Sequence, residues 1–181
     1  MRPACDLRGP RVLLRSGRAE DVQGLHRIRS EAFVSTWWGA PDAGEEAAAM
    51  LLDDTGEQFL VIEVAGEVVG GISFSEETEP EYRHASLDLY LSEHVAGQGL
   101  GTEAVTVLAC WLVDECGHHR LTIDPAVAND RAVRSYLKVG FKPVGVLREY
   151  ERGADGTWHD GLLMDLLAPE LVRWRDGPPG V

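Results

Sequence analysis

A glycine-rich segment is the part of the sequence whose residue types most clearly suit a chemical task. It reads Gly97-Gln98-Gly99-Leu100-Gly101-Thr102. Glycine lets backbone N–H groups turn toward a ligand and approach it closely, because no side chain intervenes. The segment stands directly before a predicted helix, whose N-terminus carries unpaired N–H groups and a partial positive charge. These features suit an anion such as a pyrophosphate, although a plain strand-to-helix turn would have the same spacing.

Two well-known nucleotide-binding loops are excluded for this segment. No Gly-Lys-Ser or Gly-Lys-Thr follows it, so it is not a Walker loop. The three-glycine spacing of a dinucleotide-binding turn is also missing, and the strand before it alternates instead of being fully buried.

Carboxylates, one tyrosine and two tryptophans form a second set of candidate functional residues. Asp88 lies in the alternating segment 85–91, and Asp124 ends the next predicted strand of the same sheet. Tyr136 carries a phenol that suits an acid, although its apolar helix face also suits a core tyrosine. The other members are Trp37 and Trp38 in a predicted loop with Gly39, and Glu76, Glu77, Glu79 and Glu81 in an acidic segment. Carboxylates beside aromatic faces suit a cationic ligand.

Hydrophobic periodicity predicts the elements that must position these residues. Residues 59–64 and 68–74 form a predicted hairpin joined at Ala65-Gly66, and Tyr90 falls on the polar face of 85–91. Asn129 is the predicted cap of a helix that ends at Gly140. The remaining predicted elements are strands at 11–15, 120–123, 141–147 and 158–167, and helices at 19–30, 44–52 and 102–116. The order β-α-α-β-β-β-α-β-α-β-β predicts an α/β fold with a mixed β-sheet sandwiched by helices.

Composition limits the class of protein. The 181 residues suit one domain, expected at 1–181 with its core at about 11–167 and a tail at 168–181. A net charge of −13 disfavours nucleic acid and anionic membranes as partners. Three cysteines, no apolar run of about 20 residues and no secretion signal predict a cytoplasmic protein. Cys116, His118 and His119 lack metal-ligand spacing, so we expect no metal.

Two blocks of the sequence resemble the GNAT acetyltransferases. Residues 96–101 resemble the Gln/Arg-x-x-Gly-x-Gly/Ala loop of that family, except that Ala96 occupies the first position. Residues 129–141 resemble its Asn-x-x-Ala-x-x-x-Tyr-x-x-x-Gly-Phe stretch. The resemblance covers 85–147, and the order of the flanking elements fits the GNAT fold.

The resemblance implies that acetyl-CoA is the co-substrate. Residues 97–102 would then bind its pyrophosphate, and Asn129 would contact its pantetheine arm. The other positions implied for acetyl-CoA are Leu89, Tyr90, Leu91, Ala132 and Tyr136. Tyr136 would lie by the thioester sulfur as an acid, and Asp88 would be the base or would position the amine. Direct attack of an amine on the thioester needs no covalent enzyme intermediate.

One branch of this family, the aminoglycoside 6′-N-acetyltransferases, carries a Trp-Trp-Gly loop, an Asp on the fourth strand and an Asp-Pro before the cofactor-binding Asn. The similar stretches here are Trp37-Trp38-Gly39, Asp88 and Asp124-Pro125. The likeness implies that the tryptophans pack on a cationic antibiotic and that carboxylates bind its ammonium groups. The implied substrate-binding residues are Trp37, Trp38, Glu76, Glu77, Asp88 and Asp124.

Several alternatives stay open at this point. The acetylated amine could be the 6′ or the 2′ amine, and the protein could be a monomer or a homodimer. A GNAT enzyme could instead acetylate a polyamine, a siderophore hydroxylamine or a protein N-terminus. A GNAT-like module could also bind CoA without catalysis, because a fold alone does not determine function.

Overall fold

The computed structural model describes residues 3, 6–39, 57–153 and 155–173, which contain one eight-stranded mixed sheet. Its strands are β1 (Leu7–Arg8), β2 (Val12–Ser16), β3 (Glu57–Val64), β4 (Glu67–Glu77), β5 (His84–Leu91), β6 (Arg120–Ile123), β7 (Lys142–Arg152) and β8 (Trp158–Leu167). Their order across the sheet is β1-β2-β3-β4-β5-β6-β8-β7. Only β5 and β6 are parallel neighbours among these strands, so the sheet is mixed, as predicted.

Helices cover both faces of this sheet. They are α1 (Val22–Arg29), α2 (Ala32–Trp38), α3 (Leu100–Asp114) and α4 (Asp130–Val139), with short 3-10 turns at Ala19–Asp21, Glu93–Val95 and Ala168–Glu170. None of the helices in the described ranges has the length and apolar character needed to cross a membrane. After β8, the Val172 N–H donates to the Val139 carbonyl, so the chain continues against the end of α4.

Strand alternation divides the core into two apolar clusters. On β3, Leu60 and Ile62 join the larger cluster, which includes the buried faces of α3 and α4. Phe59 and Val61 point the other way and join a smaller cluster with Tyr90 and residues of α1 and α2. The helices therefore hold the sheet from both sides, as the α/β pattern predicts.

The parallel strands β5 and β6 separate after a short paired stretch. Ala85 pairs with Leu121 and Ser86 pairs with Thr122, and the two hydroxyls of the second pair lie 2.8 Å apart. Beyond that point β5 runs on to Leu91, whereas β6 ends at Ile123. The last residues of β5 therefore leave one strand edge open toward the helices.

Several local predictions are confirmed. The hairpin turns at Ala65-Gly66, where both residues have positive φ angles of 51° and 85°, typical of a two-residue turn. The helix predicted at 102–116 is α3 with a start two residues earlier, and the strand predicted at 141–147 extends to Arg152. The helical stretch predicted at 44–52 lies outside the described residues.

Two predictions near the N-terminal helices are wrong. The aromatic segment at 35–39 is not a loop, because α2 includes it up to Trp38. Tyr90 lies on the opposite face of β5 from Ala85 and Leu87, as predicted, but this face is not polar along its whole length, since Tyr90 is only 4% exposed. The two corrections have one cause: the Trp38 ring packs edge-on against Tyr90, with 5.2 Å between ring centroids. This long-range contact outweighs the local pattern.

Gly140 offers a test of the fold. It ends α4 with φ of 115°, and a Cβ there would overlap the Glu170 carbonyl oxygen. We expect Gly140→Ala to lower the free energy of unfolding by about 2 kcal/mol, as measured by urea denaturation. Gly24→Ala is the matched control, because a Cβ on this α1 residue would have no atom within 4 Å other than those of its chain neighbours and its own helix backbone. Equal stability of the two variants would contradict the strain at Gly140.

Candidate active site

A cleft of about 670 Å³ lies beside the open end of β5, within the usual size range of ligand pockets. Its walls are the end of β5, the glycine loop, the first turns of α3 and α4, and the end of α2. The predicted site residues that line it are Trp37, Trp38, Leu89, Tyr90, Leu91, Gly97, Gly99, Leu100, Gly101, Thr102, Asn129, Ala132 and Tyr136. The cleft thus brings together both sequence blocks, which lie about 30 residues apart.

The glycine loop gives the cleft a backbone suited to an anion. Gly97 and Gly99 each have φ of 81°, a conformation that glycine adopts without strain. Gly99 is the N-cap of α3, and no side chain of the described residues caps this end. The first-turn N–H groups of a 15-residue helix therefore remain available beside the cleft, with the positive end of its dipole. These residues fit the pyrophosphate of acetyl-CoA.

The beginning of α4 is fixed beside the same loop. Asn129 caps this helix, as predicted, because its Oδ1 accepts a hydrogen bond from the Ala132 N–H at 3.2 Å. The Thr102 and Ser135 hydroxyls lie 2.6 Å apart and join α3 to α4. Two helix N-termini consequently share one side of the cleft.

Tyr136 lies where the cleft meets a pair of carboxylates. Its side chain is 5% exposed and packs against Phe141, with 6.1 Å between ring centroids, yet it lines the cleft. Burial raises the pKa of the phenol, and the charges of Asp88 and Asp124 raise it further. The hydroxyl is therefore protonated at neutral pH and can act as a proton donor.

Asp88 and Asp124 lie at the two strands that separate, on β5 and directly after β6. Asp88 is exposed on β5, and its Oδ1 accepts a hydrogen bond from the Leu89 N–H at 2.8 Å. Asp124 follows β6 and is half-buried. Neither lines the cleft, but both act electrostatically on the Tyr136 hydroxyl. No group of three or more His, Cys, Asp or Glu side chains in the described part of the chain could hold a metal ion.

Tyr150 on β7 joins this group, although no local motif singles it out. Its hydroxyl interacts with the Asp124 carboxylate, and this interaction, more than partial burial, raises the pKa of Tyr150 to about 12. The strand is irregular here: Glu149 has φ of 49°, and its N–H donates to Asp160 Oδ1 at 2.8 Å. A Cβ on Gly161 would lie 2.7 Å from Tyr150 Cδ1, so a glycine is needed for the ring to lie there. Register shifts of this kind are not readable from alternation alone.

A buried arginine holds the aromatic wall of the cleft. The guanidinium carbon of Arg29 lies 4.9 Å from the Trp38 ring centroid and 5.5 Å from that of Tyr90. Arg29 also donates from Nη2 to the Trp38 carbonyl at 3.1 Å. Because Trp37 and Trp38 both line the cleft, the end of α2 presents a fixed aromatic surface.

Besides Asp88 and Asp124, three more predicted site residues lie away from the cleft walls. Glu76 and Glu77 are on β4 opposite the beginning of β5, whereas the cleft adjoins its end. Glu76 Oε1 lies 2.8 Å from Nε2 of the buried His118. Gln98 belongs to the glycine loop, but its side chain donates to the His94 carbonyl at 3.0 Å. The structure therefore does not bring the side chains of Glu76, Glu77 and Gln98 into the site.

Comparisons with known proteins identify the family of this chain. The family model of the acetyltransferase (GNAT) domain matches residues 11–142. Aminoglycoside N(6′)-acetyltransferase type 1 of Klebsiella pneumoniae is 29% identical over 159 residues, covering 75% of this chain and 76% of that protein. Spermidine N(1)-acetyltransferase of Escherichia coli (strain K12) is 26% identical over 174 residues, covering 92% and 91%. Mycobacterium smegmatis RimJ in complex with CoA-disulfide has a TM-score of 0.80 and 25% identity, covering 93% of this chain and 88% of that chain.

The matched region contains the features that shape the cleft. It includes the glycine loop, the open end of β5 and the stretch at 129–141. The two curated relatives are both named as N-acetyltransferases. The chain therefore belongs to the GNAT acetyltransferase family and is an acetyl-CoA-dependent N-acetyltransferase.

Proposed function

We propose that this enzyme acetylates an amino group of an aminoglycoside antibiotic, at the 6′ or the 2′ position. The observation that carries the proposal is the pair of carboxylates, Asp88 and Asp124, beside the buried Tyr136. The tryptophans of α2 line the adjoining cleft. A polycationic sugar offers ammonium groups to the carboxylates and apolar ring faces to the tryptophans. The relative from Klebsiella pneumoniae, which is named for this activity, supports the proposal.

Acetyl-CoA is assigned to the cleft by the chemistry of its walls. The glycine loop and the start of α3 would hold the pyrophosphate through backbone N–H groups. Leu89, Tyr90 and Leu91 would offer the open edge of β5 to the amide groups of the pantetheine arm, opposite Asn129 and Ala132. Extended chains commonly bind to an open strand edge in this way.

The amine would be received by the two carboxylates. Asp88 is exposed, so an ammonium group can reach it from solvent. The amine must lose a proton before it can attack a thioester, and Asp88 would take or relay this proton. Asp124, which interacts with the Tyr150 hydroxyl, would hold a second ammonium group of the same substrate. A substrate with several ammonium groups uses both carboxylates.

Tyr136 would supply the acid. Bound acetyl-CoA provides an acetyl thioester, whose sulfur needs a proton as it leaves. The Tyr136 hydroxyl retains its proton because burial and the two carboxylates raise its pKa. An ammonium group beside Asp88 and Asp124 offsets their charge and so removes part of this increase. Tyr136 would therefore become a stronger acid only when the amine is in place.

A polyamine is the second candidate substrate. The relative from Escherichia coli, named a spermidine acetyltransferase, aligns with 92% of this chain. Paired carboxylates also suit a flexible chain of ammonium groups.

A polyamine has no ring to stack on Trp37 or Trp38, so Trp38→Ala should weaken aminoglycoside turnover far more than polyamine turnover.

Thiol release from acetyl-CoA, followed with Ellman's reagent, tests the proposal. The panel contains tobramycin, kasugamycin, spermidine, spermine and a short peptide with a free N-terminus. Release with an aminoglycoside supports the proposal, and mass spectrometry of the product then identifies the acetylated amine. Release with spermidine or spermine alone favours the second candidate. Failure with every amine, in a protein that binds CoA, would leave the aminoglycoside proposal without support.

Tyr136→Phe tests the acid. We expect kcat to fall about 100-fold, because the proton donor is removed from the site. The KM for acetyl-CoA should change little, since the ring remains in place. Tyr82→Phe is the matched control, because Tyr82 is 75% exposed in the turn between β4 and β5. Full activity of Tyr136→Phe in the thiol-release assay would show that another group donates the proton.

Tyr150→Phe tests the fixing of Asp124. Loss of the hydroxyl removes its interaction with the Asp124 carboxylate, so we expect the KM for the amine to rise about fivefold. The KM for acetyl-CoA should stay as in the wild type, because Tyr150 does not line the cleft. Steady-state kinetics with each substrate varied in turn would measure both constants, again against Tyr82→Phe. A selective rise in the KM for acetyl-CoA would contradict this role.

A further inference from the structure

Arg11 contacts the glycine loop from a position far earlier in the sequence. It precedes β2, and its Nη1 donates to the Gln98 carbonyl oxygen at 3.0 Å. Its Nε donates to Glu103 Oε2 at 2.8 Å. Its Nη2 lies 3.5 Å from the position of a Cβ on Gly99. One guanidinium therefore contacts both the loop and the first turn of α3.

Glu103 is the buried anchor of this contact. The residue is 1% exposed, and its Oε1 accepts hydrogen bonds from the backbone N–H groups of Arg11 and Val12. A Cβ on Gly9 would lie 2.8 Å from Oε1, so glycine lets the turn between β1 and β2 close over the carboxylate. A buried carboxylate needs such partners, because an unpaired buried charge is strongly unfavourable.

The bond from Arg11 determines which way one loop peptide faces. No cis peptide bond occurs in the described ranges, and a trans peptide points its C=O and N–H in opposite directions. The Gln98 carbonyl faces Arg11, so the Gly99 N–H faces away from it, and Gly99 lines the cleft. Glycine has no Cβ to resist a flip of this peptide, which would turn a carbonyl toward a bound anion. Arg11 opposes that flip.

The positive charge of Arg11 is a second way in which this residue would favour an anion at the glycine loop. Glu103 lies in the first turn of α3, where its negative charge would disfavour an anion at the helix N-terminus. The guanidinium of Arg11 neutralises this carboxylate and is itself half-exposed, with a side-chain exposure of 45%. Ala96 offers only a methyl group to the loop, and the Gln98 amide is turned to the His94 carbonyl. Arg11 thus brings a positive charge to a loop whose own side chains lack one.

We propose that Arg11 is a positioning residue for the pyrophosphate of acetyl-CoA. It fixes the peptide between Gln98 and Gly99 and neutralises Glu103. The proposal rests on the placement of acetyl-CoA at the glycine loop under the proposed function. It does not depend on which amine is acetylated.

Isothermal titration calorimetry with CoA tests the proposal without turnover. We expect Arg11→Gln to weaken CoA binding about tenfold, a typical loss for a charge-assisted contact. Arg11→Lys keeps the charge but cannot reach the loop and Glu103 with one planar group, so its affinity should be intermediate. Arg8→Gln removes a guanidinium from the same hairpin, at 72% side-chain exposure, and should bind CoA as the wild type does.

A donor without a pyrophosphate separates positioning from general structure. With acetyl-CoA, Arg11→Gln should show a KM raised about tenfold and an unchanged kcat at saturation. With S-acetylpantetheine, the KM should match that of the wild type. An equal rise with both donors, or CoA binding within twofold of the wild type, would overturn the role of Arg11. If Arg11→Gln unfolds, Arg11→Lys is judged by the same comparison of donors.

Gly99→Ala distinguishes failure of this inference from failure of the acetyl-CoA placement. Alanine is strained at φ of 81°, so the variant perturbs the loop itself. Weaker CoA binding by Gly99→Ala alone would overturn only the role of Arg11. Unchanged binding by both Gly99→Ala and Arg11→Gln would show that the pyrophosphate binds elsewhere, so the placement would fail as well. Circular dichroism and thermal unfolding confirm that each variant is folded.

Discussion

The separation of β5 from β6 is the constraint on which the rest of the structure depends. The two strands are paired over only two residues each, after which β5 continues with β4 on one edge and without β6 on the other. Parallel neighbours must be joined by a crossover, so α3 begins at the carboxyl end of β5, and α4 begins beyond the end of β6. Two helix N-termini, an open strand edge and the carboxylates Asp88 and Asp124 consequently surround one opening. No additional domain is needed to assemble this set of groups.

The opening has two electrostatic halves. The glycine loop and the two helix starts provide N–H groups and partial positive charge on one side. Asp88 and Asp124 provide negative charge on the other, and Tyr136 lies between them with its pKa raised by burial and by these carboxylates. A single phenol therefore adjoins both the place suited to an anionic co-substrate and the place suited to a cationic amine. Acetyl transfer requires these two partners to meet at one point.

The range of the interactions explains how much could be predicted from the sequence. The glycine loop, the Asn129 cap and the turn at Ala65-Gly66 depend on residues within a few positions, so local patterns revealed them. The helical state of the aromatic segment depends on Tyr90, far along the chain. The contacts that no local pattern could reveal join Tyr150 to Asp124, Arg29 to Trp38 and Tyr90, and Arg11 to Glu103, which is 92 residues away. These contacts hold the predicted site residues in place. In the sequence, neither the spacing nor the residue types of the partners distinguish such contacts from ordinary packing.

The net charge of the molecule and the local charge at the cleft act in opposite directions on an anionic co-substrate. A net charge of −13 attracts a polycationic amine but repels an anionic co-substrate. Local groups must overcome that repulsion, and Arg131, Arg134 and Lys138 on α4 line the cleft beside the glycine loop. Glu103 adds to this repulsion, because its carboxylate is buried in the first turn of α3. Arg11 offsets the charge of Glu103 within the fold. Its guanidinium bonds the buried carboxylate and, through a second hydrogen bond, fixes the loop that faces the cleft.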